Sequence, residues 1–270
     1  WFLGIANRNL YTKAEYQRDD YRAIAKEIYS GRGDNSAVLL NAPNQIEVFS
    51  YYYPVLGDVF PVAQERPVDV VAQRAELERI ASEYEQLTVL YWGEQQADPS
   101  GVVERWLNVN TNKMASRWYG QVRVARYSTT DSVVLPLEDV GVLFGDTIKM
   151  RGYRLGKITY KPGEVVNVQL VWTPLKEIAA DYAVFVHLYS QLDERPVAQH
   201  DGRPSGGSAP TREWQVGEDV NDRHGVELPT DITAGEYTLS VGLYSTEDGE
   251  RLRVTAEGAR DDRLILGIIS

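Results

Sequence analysis

Residues 41–54, "NAPNQIEVFSYYYP", set the amides of Asn41, Asn44 and Gln45 beside a run of three tyrosines. Amides donate and accept together and aromatic faces pack on sugar C–H surfaces, so this mixture suits a hydroxyl-rich ligand. A second stretch, Trp92, Gly93, Glu94 and Gln95, has the same character. Asn41, Asn44, Gln45, Trp92, Glu94 and Gln95 therefore make up a candidate binding crevice. The architectural alternative is that Asn44 caps a helix, with Glu47 three residues later completing a capping box and the tyrosines packing beneath. Glu47 with Glu94 is the one carboxylate pair to nominate in this half of the chain for hydrolytic acid–base chemistry.

All three histidines, His187, His200 and His224, fall in the second half of the chain, with Asp201 adjacent to one and Asp222 two residues before another. No pair has i,i+4 spacing and cysteine is absent, so packing or surface histidines are expected, with no metal site and no catalytic residue. The acidic segments "GEDVNDRHG" and "ARDDR" lack the alternating ligand pattern of a calcium loop and read as solvated turns. "RGD" at Arg32 to Asp34 reads as a turn ending a helix. Trp172, Trp214 and Tyr189 suit either a sugar platform on a β-sandwich or its core. Dinucleotide, P-loop, zinc-protease and hydrolase signatures are all missing, and no cofactor is expected.

The elements that must position these groups change character part-way along. "RDDYRAIAKEIYSGRGDN" has Tyr21, Ile24, Ala25 and Ile28 at helical spacing, Asp19 and Asp20 at its start and Gly31 where a C-cap belongs. The strand "AVLLN" follows, then a helix from "NQIEVFSYYY", a strand "DVFPV", a helix with Val71, Ala75, Leu77, Ile80 and Tyr84 on one face, and a strand "LTVLYWG". A further helix in "PSGVVERWLNVN" and a hairpin turning near Gly120 complete the segment. This alternation predicts a Rossmann-like α/β/α domain with a mainly parallel sheet over residues 1–128, its ligands beyond the carboxyl ends of the strands. From residue 129 to 270, short alternating strands between Gly- and Pro-rich turns predict an immunoglobulin-like antiparallel β-sandwich.

Composition narrows the partners. The 270 residues carry a net charge of −11, which argues against a duplex-binding surface and so against nucleic acid as a partner. Residues 1–127 hold 14 basic and 16 acidic side chains against 14 and 23 in the remainder, so the second domain bears most of the acidity. Without cysteine neither redox compartment is indicated. No apolar stretch approaches the roughly 20 residues that span a bilayer. The start "WFLG", without Met, reads as a cut from a longer chain.

"YQRDDYRAIAKEI", "AVLLNAPNQIEVFSYYY", "ELERIASEYEQLTVLYWGEQQADPSGVVERWL" and "RWYGQVRVARY" together resemble the C-terminal part of bacterial multispanning glycosyltransferases of family 39, the dolichyl-phosphate-mannose-protein-mannosyltransferase-like enzymes. The resemblance covers residues 16–127. Downstream, "FVHLYSQLDERPVAQHDGRP", "WQVGEDVNDRHGVELP" and "GEYTLSVGLYSTEDGERL" resemble a β-sandwich that follows such segments in some of these proteins. The family's donor is a polyprenyl-phosphate sugar bound among transmembrane helices, which these residues lack, so no catalytic residue carries over. The resemblance implies a non-catalytic module on the extracytoplasmic face of the membrane. Such a module recognises the acceptor glycan or protein, or braces its own transmembrane domain. The rival reading is an independent carbohydrate-active hydrolase or esterase with an accessory β-sandwich.

Overall fold

The computed structural model describes residues 20–130, 135–190, 195–256, 259 and 262–270. Its elements are α1 (Tyr21–Gly31), β1 (Ser36–Leu40), α2 (Gln45–Tyr52), β2 (Val59–Pro61), α3 (Val70–Glu83), β3 (Gln86–Tyr91), α4 (Glu94–Ala97), α5 (Val102–Asn110), β4 (Asn112–Tyr119) and β5 (Val122–Ser128). Then come β6 (Glu138–Phe144), β7 (Ile148–Leu155), β8 (Val165–Pro174), β9 (Tyr182–Ser190), β10 (Pro196–Gly202), β11 (Val220–Glu227), β12 (Tyr237–Ser245), β13 (Val254–Thr255) and β14 (Leu264–Ile269).

The expected Rossmann-like domain is not what forms. The described chain is mostly β, with five short helices, one ten-stranded mixed sheet in the order β13-β6-β7-β8-β11-β4-β5-β3-β1-β2, and one four-stranded sheet in the order β10-β9-β12-β14. β1, β2 and β3 make a parallel set, with Val38 opposite Val59 and Leu39 opposite Val89, and β11 meets β4 in parallel at a single pair, His224 opposite Lys113. Apart from that junction the sheet beyond β3 pairs antiparallel, Leu87 of β3 facing Tyr127 of β5. The β–helix–β alternation was legible, but three parallel strands do not build the doubled βαβαβ halves of a dinucleotide fold.

Two compact units divide the chain, residues 1–107 with 115–129, and residues 108–114 with 130–270. In the first, β1 is buried from Ala37 to Leu40, as a strand covered on both faces must be. One face packs Leu39, Val89 and Tyr127 against Leu77 and Ile80 of α3 and Val103 and Leu107 of α5. The other packs Val38, Leu40 and Leu90 against Tyr21, Ile24 and Ile28 of α1 and Phe49 of α2. Helix starts are fixed by carboxylates: Asp20 accepts from the Ala23 amide at 3.0 Å, and Asp69 accepts from the Val71 and Ala72 amides at 2.9 and 3.0 Å. Gly31 does not form a left-handed cap, because the chain leaves α1 through an extended Arg32. Val71 lies 79% exposed rather than on the packed face of α3.

The second unit is a β-sandwich. Its four-stranded sheet is antiparallel, Leu239 pairing Leu188 and Thr238 pairing Ile268. The facing sheet pairs β8 with β7 and β11. Side chains from both fill one core, including Trp172, Phe144, Val186 and Leu239. The immunoglobulin-like assignment fails along with the Rossmann-like one, since the strands facing β9 and β12 belong to the ten-stranded mixed sheet rather than to a separate antiparallel one.

Candidate functional site

The six residues of the expected crevice separate by burial. Asn41 and Gln45 are buried, Trp92 and Glu94 half-buried, Asn44 and Gln95 exposed. Gln45 is structural: its Oε1 accepts from the Ala42 amide at 3.2 Å, and its Nε2 donates to the Tyr21 hydroxyl at 3.0 Å. Asn41 follows β1 and its amide donates to the Leu90 carbonyl at 3.0 Å. Its Oδ1 is buried without a hydrogen-bond partner among the described residues. Asn44 makes no capping bond with its side chain, so the expected capping box does not form. Its backbone is already helical, at φ −68° and ψ −12°, whereas a side chain caps from an extended backbone. Glu47 is left exposed.

Glu94 is held away from chemistry. Its Oε1 accepts from Nη2 and Nε of Arg123 at 2.9 and 3.2 Å, while Nη2 and Nη1 of the same guanidinium donate to Glu104 at 2.6 and 2.8 Å. Arg123 is buried on β5 and lies 4.2 Å from the centroid of the Tyr91 ring. Burial alone would pull its pKa down, but the bonds to Glu104 and Glu94 outweigh burial and raise it. The group is a charge-assisted clamp joining α4, α5 and β5.

The histidines form a group that spacing alone did not show. "GEDVNDRHG" is not a solvated turn: its second half starts β11, where Asp222 and His224, two residues apart on a strand, point the same way into the sandwich. His224 Nε2 lies 2.8 Å from Asp222 Oδ2, and His224 Nδ1 lies 2.8 Å from His200 Nδ1. The carboxylate only accepts, so Nε2 of His224 carries a proton and, in the neutral ring, Nδ1 accepts from His200. Asp222 also accepts from Trp172 Nε1 at 3.2 Å and from the Ser205 amide at 2.7 Å. Burial, then His224 and Lys113, push the pKa of His200 well below its ordinary value. Ser205 is no nucleophile for this pair, because its hydroxyl donates to the Asn221 carbonyl and both His224 nitrogens are engaged. His187 is closed in the same way, between Asp201 at 2.9 Å and Tyr189 at 3.1 Å. No group of three or more His, Asp or Glu able to hold a metal ion occurs among the described residues.

Trp172 and Trp214 are buried in the sandwich core rather than on a sugar platform, while Tyr189, buried too, alternates with the core residues of β9 on its other face, where the Arg263 guanidinium lies 4.2 Å from its ring. Two clefts in the first unit include none of the six expected residues. One, of about 250 Å³, lies between the end of β2 and the start of α3 and carries Glu65, Asp69 and Glu76. The other, of about 330 Å³, lies between α1 and the strands β3, β4 and β5 and carries Arg32, Arg117 and Arg126.

No family model matches the chain, and no curated protein matches it. Solved structures match it only in part. A Niemann-Pick type C2 protein from the Japanese carpenter ant aligns at 10% identity over 44% of this chain and 94% of that one, with a TM-score of 0.30. The C-terminal domain of Wzt aligns at 16% identity over 51% and 87%, with a TM-score of 0.31. Spo0M, a sporulation control protein from Bacillus subtilis, aligns at 21% identity over 44% and 48%, with a TM-score of 0.25. Likenesses this distant assign neither ligand nor activity.

The arginine cleft is marked in the sequence by period-two pairs. Arg117 and Tyr119 stand two apart on one strand, as do Gln86 and Thr88 on another and Val124 and Arg126 on a third, so three strands of one sheet turn polar side chains to one face.

Proposed function

We propose that this chain is a non-catalytic, extracytoplasmic module of a membrane-embedded glycosyltransferase resembling family 39, serving to recognise an acceptor. The observation that carries the non-catalytic part is the Arg123 clamp. The one acid–base pair nominated for a hydrolase needs Glu94 free, and Glu94 is bound to a guanidinium that Glu104 shares. The His224–Asp222 couple of the sandwich is a closed hydrogen-bonded set with neither a hydroxyl on a ring nitrogen nor a free ring nitrogen on His224. The membrane attachment rests on the sequence resemblance over residues 16–127. Among the described residues no helix is long and apolar enough to cross a membrane, so any span would lie outside them.

Two measurements test the reading. Purified chain incubated with chromogenic glycosides and acetate esters should release product only at the buffer rate. Turnover above that rate, abolished by Glu94→Gln, would establish the hydrolase instead. An antibody against this chain should detect, in the membrane fraction of the source cell, a polypeptide longer than these 270 residues that external protease cleaves in spheroplasts. A species of this length confined to the soluble fraction would refute the membrane module.

A further inference from the structure

The cleft beside α1 has a chemistry of its own. Its floor is the face of β3, β4 and β5 that α1 and α2 leave open, and its charged lining is Arg32, Arg117, Arg126 and Glu27. Three cations against one carboxylate, in a chain of net charge −11, make a local positive site against the overall field. Guanidinium groups pair with carboxylate or phosphate through two parallel hydrogen bonds, which a lysine cluster would not do. The volume of about 330 Å³ is at the small end for a ligand site and fits one compact molecule rather than a peptide or a nucleic acid strand.

The rest of the lining is suited to hydroxyl groups. Glu27 accepts from the Tyr119 hydroxyl at 2.5 Å, and burial, followed by Glu27, raises the pKa of that phenol, so it stays a neutral donor. Thr88 and Gln86 on β3 add a hydroxyl and an amide. The end of α1 opens on the cleft at Gly31, and terminal helix carbonyls have no partner within the helix. Arg32 stands at that end and offsets its negative partial charge. The apolar side chains of the lining, Ile28, Ala115 and Val124, belong to the sheet floor and the α1 face, and the Tyr119 ring is faced by the Arg117 guanidinium at 5.1 Å. A nucleobase would therefore find no open ring to stack on.

We infer that this cleft binds an acidic saccharide unit, a single sugar ring bearing a carboxylate or a phosphate. The inference rests on the reading of the chain as a binding module and adds its ligand class and its place. The two fail separately: a chain without turnover that also binds no acidic sugar keeps its non-catalytic role and loses this site.

The test is calorimetric titration of the purified chain at low salt with glucuronate, glucose 1-phosphate, glucose and inorganic phosphate. Saturable binding of glucuronate or of glucose 1-phosphate is expected, at least tenfold tighter than that of glucose. Which of the two binds tells whether the anion is a carboxylate or a phosphate. Arg117→Gln and Arg32→Gln, both at exposed positions, should each weaken that binding at least fivefold without moving the thermal midpoint. Glucose binding as tightly as its acidic relatives would remove the arginines from the site. Inorganic phosphate binding as tightly as glucose 1-phosphate, with no binding of glucuronate, would reduce the cleft to an anion site and overturn the saccharide. No binding by either acidic sugar, or binding unchanged in the double variant, would also overturn it.

Discussion

Arg123 brings two carboxylates and an aromatic face together around one cation. Its side chain is 10% exposed, against 25% for Glu104 and 38% for Glu94. Replacing it by Met removes the cation but leaves both carboxylates in place, and breaking such a pair costs about 3 kcal/mol when the remaining charge stays buried. Arg123→Met should lose about that much in urea denaturation, and Arg123→Lys less, since Lys keeps the charge without the fork. A loss under about 1 kcal/mol would mean that water replaces the clamp. Capping offers a sharper contrast. Asp69→Ala should cost about 1 kcal/mol, because two amides lose their acceptor. Asn44→Ala should cost less than about 0.5 kcal/mol, because no capping bond is lost. Equal losses at the two positions would restore the capping box that the sequence suggests. Residue types named Asn44 and Glu47 as a box, but backbone angles decide whether a side chain can reach back, and those are set by the turn after β1.

Among the elements, β9 and β12 are tied by a cross-strand pair with no slack. Gly242 stands opposite Phe185, and a methyl group on Gly242 would overlap the Phe185 ring, which is almost fully buried. Gly242→Ala should therefore destabilise by about 1–3 kcal/mol through overpacking. Phe185→Leu in the same chain should return part of that loss, and a double-mutant cycle measures the coupling. Additive losses would show that the ring moves aside freely. Strands such as β8, β9 and β12 could be read from sequence because β-branched and aromatic residues fill them. β11 was half-hidden because Asn221, Asp222, Arg223 and His224 look like a loop until the partners that neutralise them are known. The parallel set of β1, β2 and β3 was equally legible. What followed was not, because an antiparallel hairpin joins a parallel sheet without any mark in local periodicity.

For the molecule as a whole, the buried histidine pair links stability to pH. His200 is held neutral by burial, by His224 across its Nδ1 and by Lys113 nearby, so its folded pKa lies well below the ordinary histidine value of about 6.5. The unfolded chain therefore takes up a proton below pH 6.5 that the folded chain refuses. Stability from this group is complete above that pH and falls as pH drops towards the depressed folded value, by up to about 1.4 kcal/mol per unit. Carboxylates with lowered pKa values, Glu76, Glu164 and Asp219 among them, have the same sign but act below their ordinary range near 4, outside this window. Acidification also relaxes self-repulsion in a chain of net charge −11, which works in the opposite direction and is common to every variant. His200→Asn, which keeps a donor near the position of Nδ1 but cannot titrate, separates the two effects. Between pH 6.5 and 5.0 the wild-type chain should lose stability relative to this variant in chemical denaturation, more steeply as pH falls. Parallel stability curves would mean that His200 takes its proton in the folded state, and that Asp222 stabilises the charge through His224.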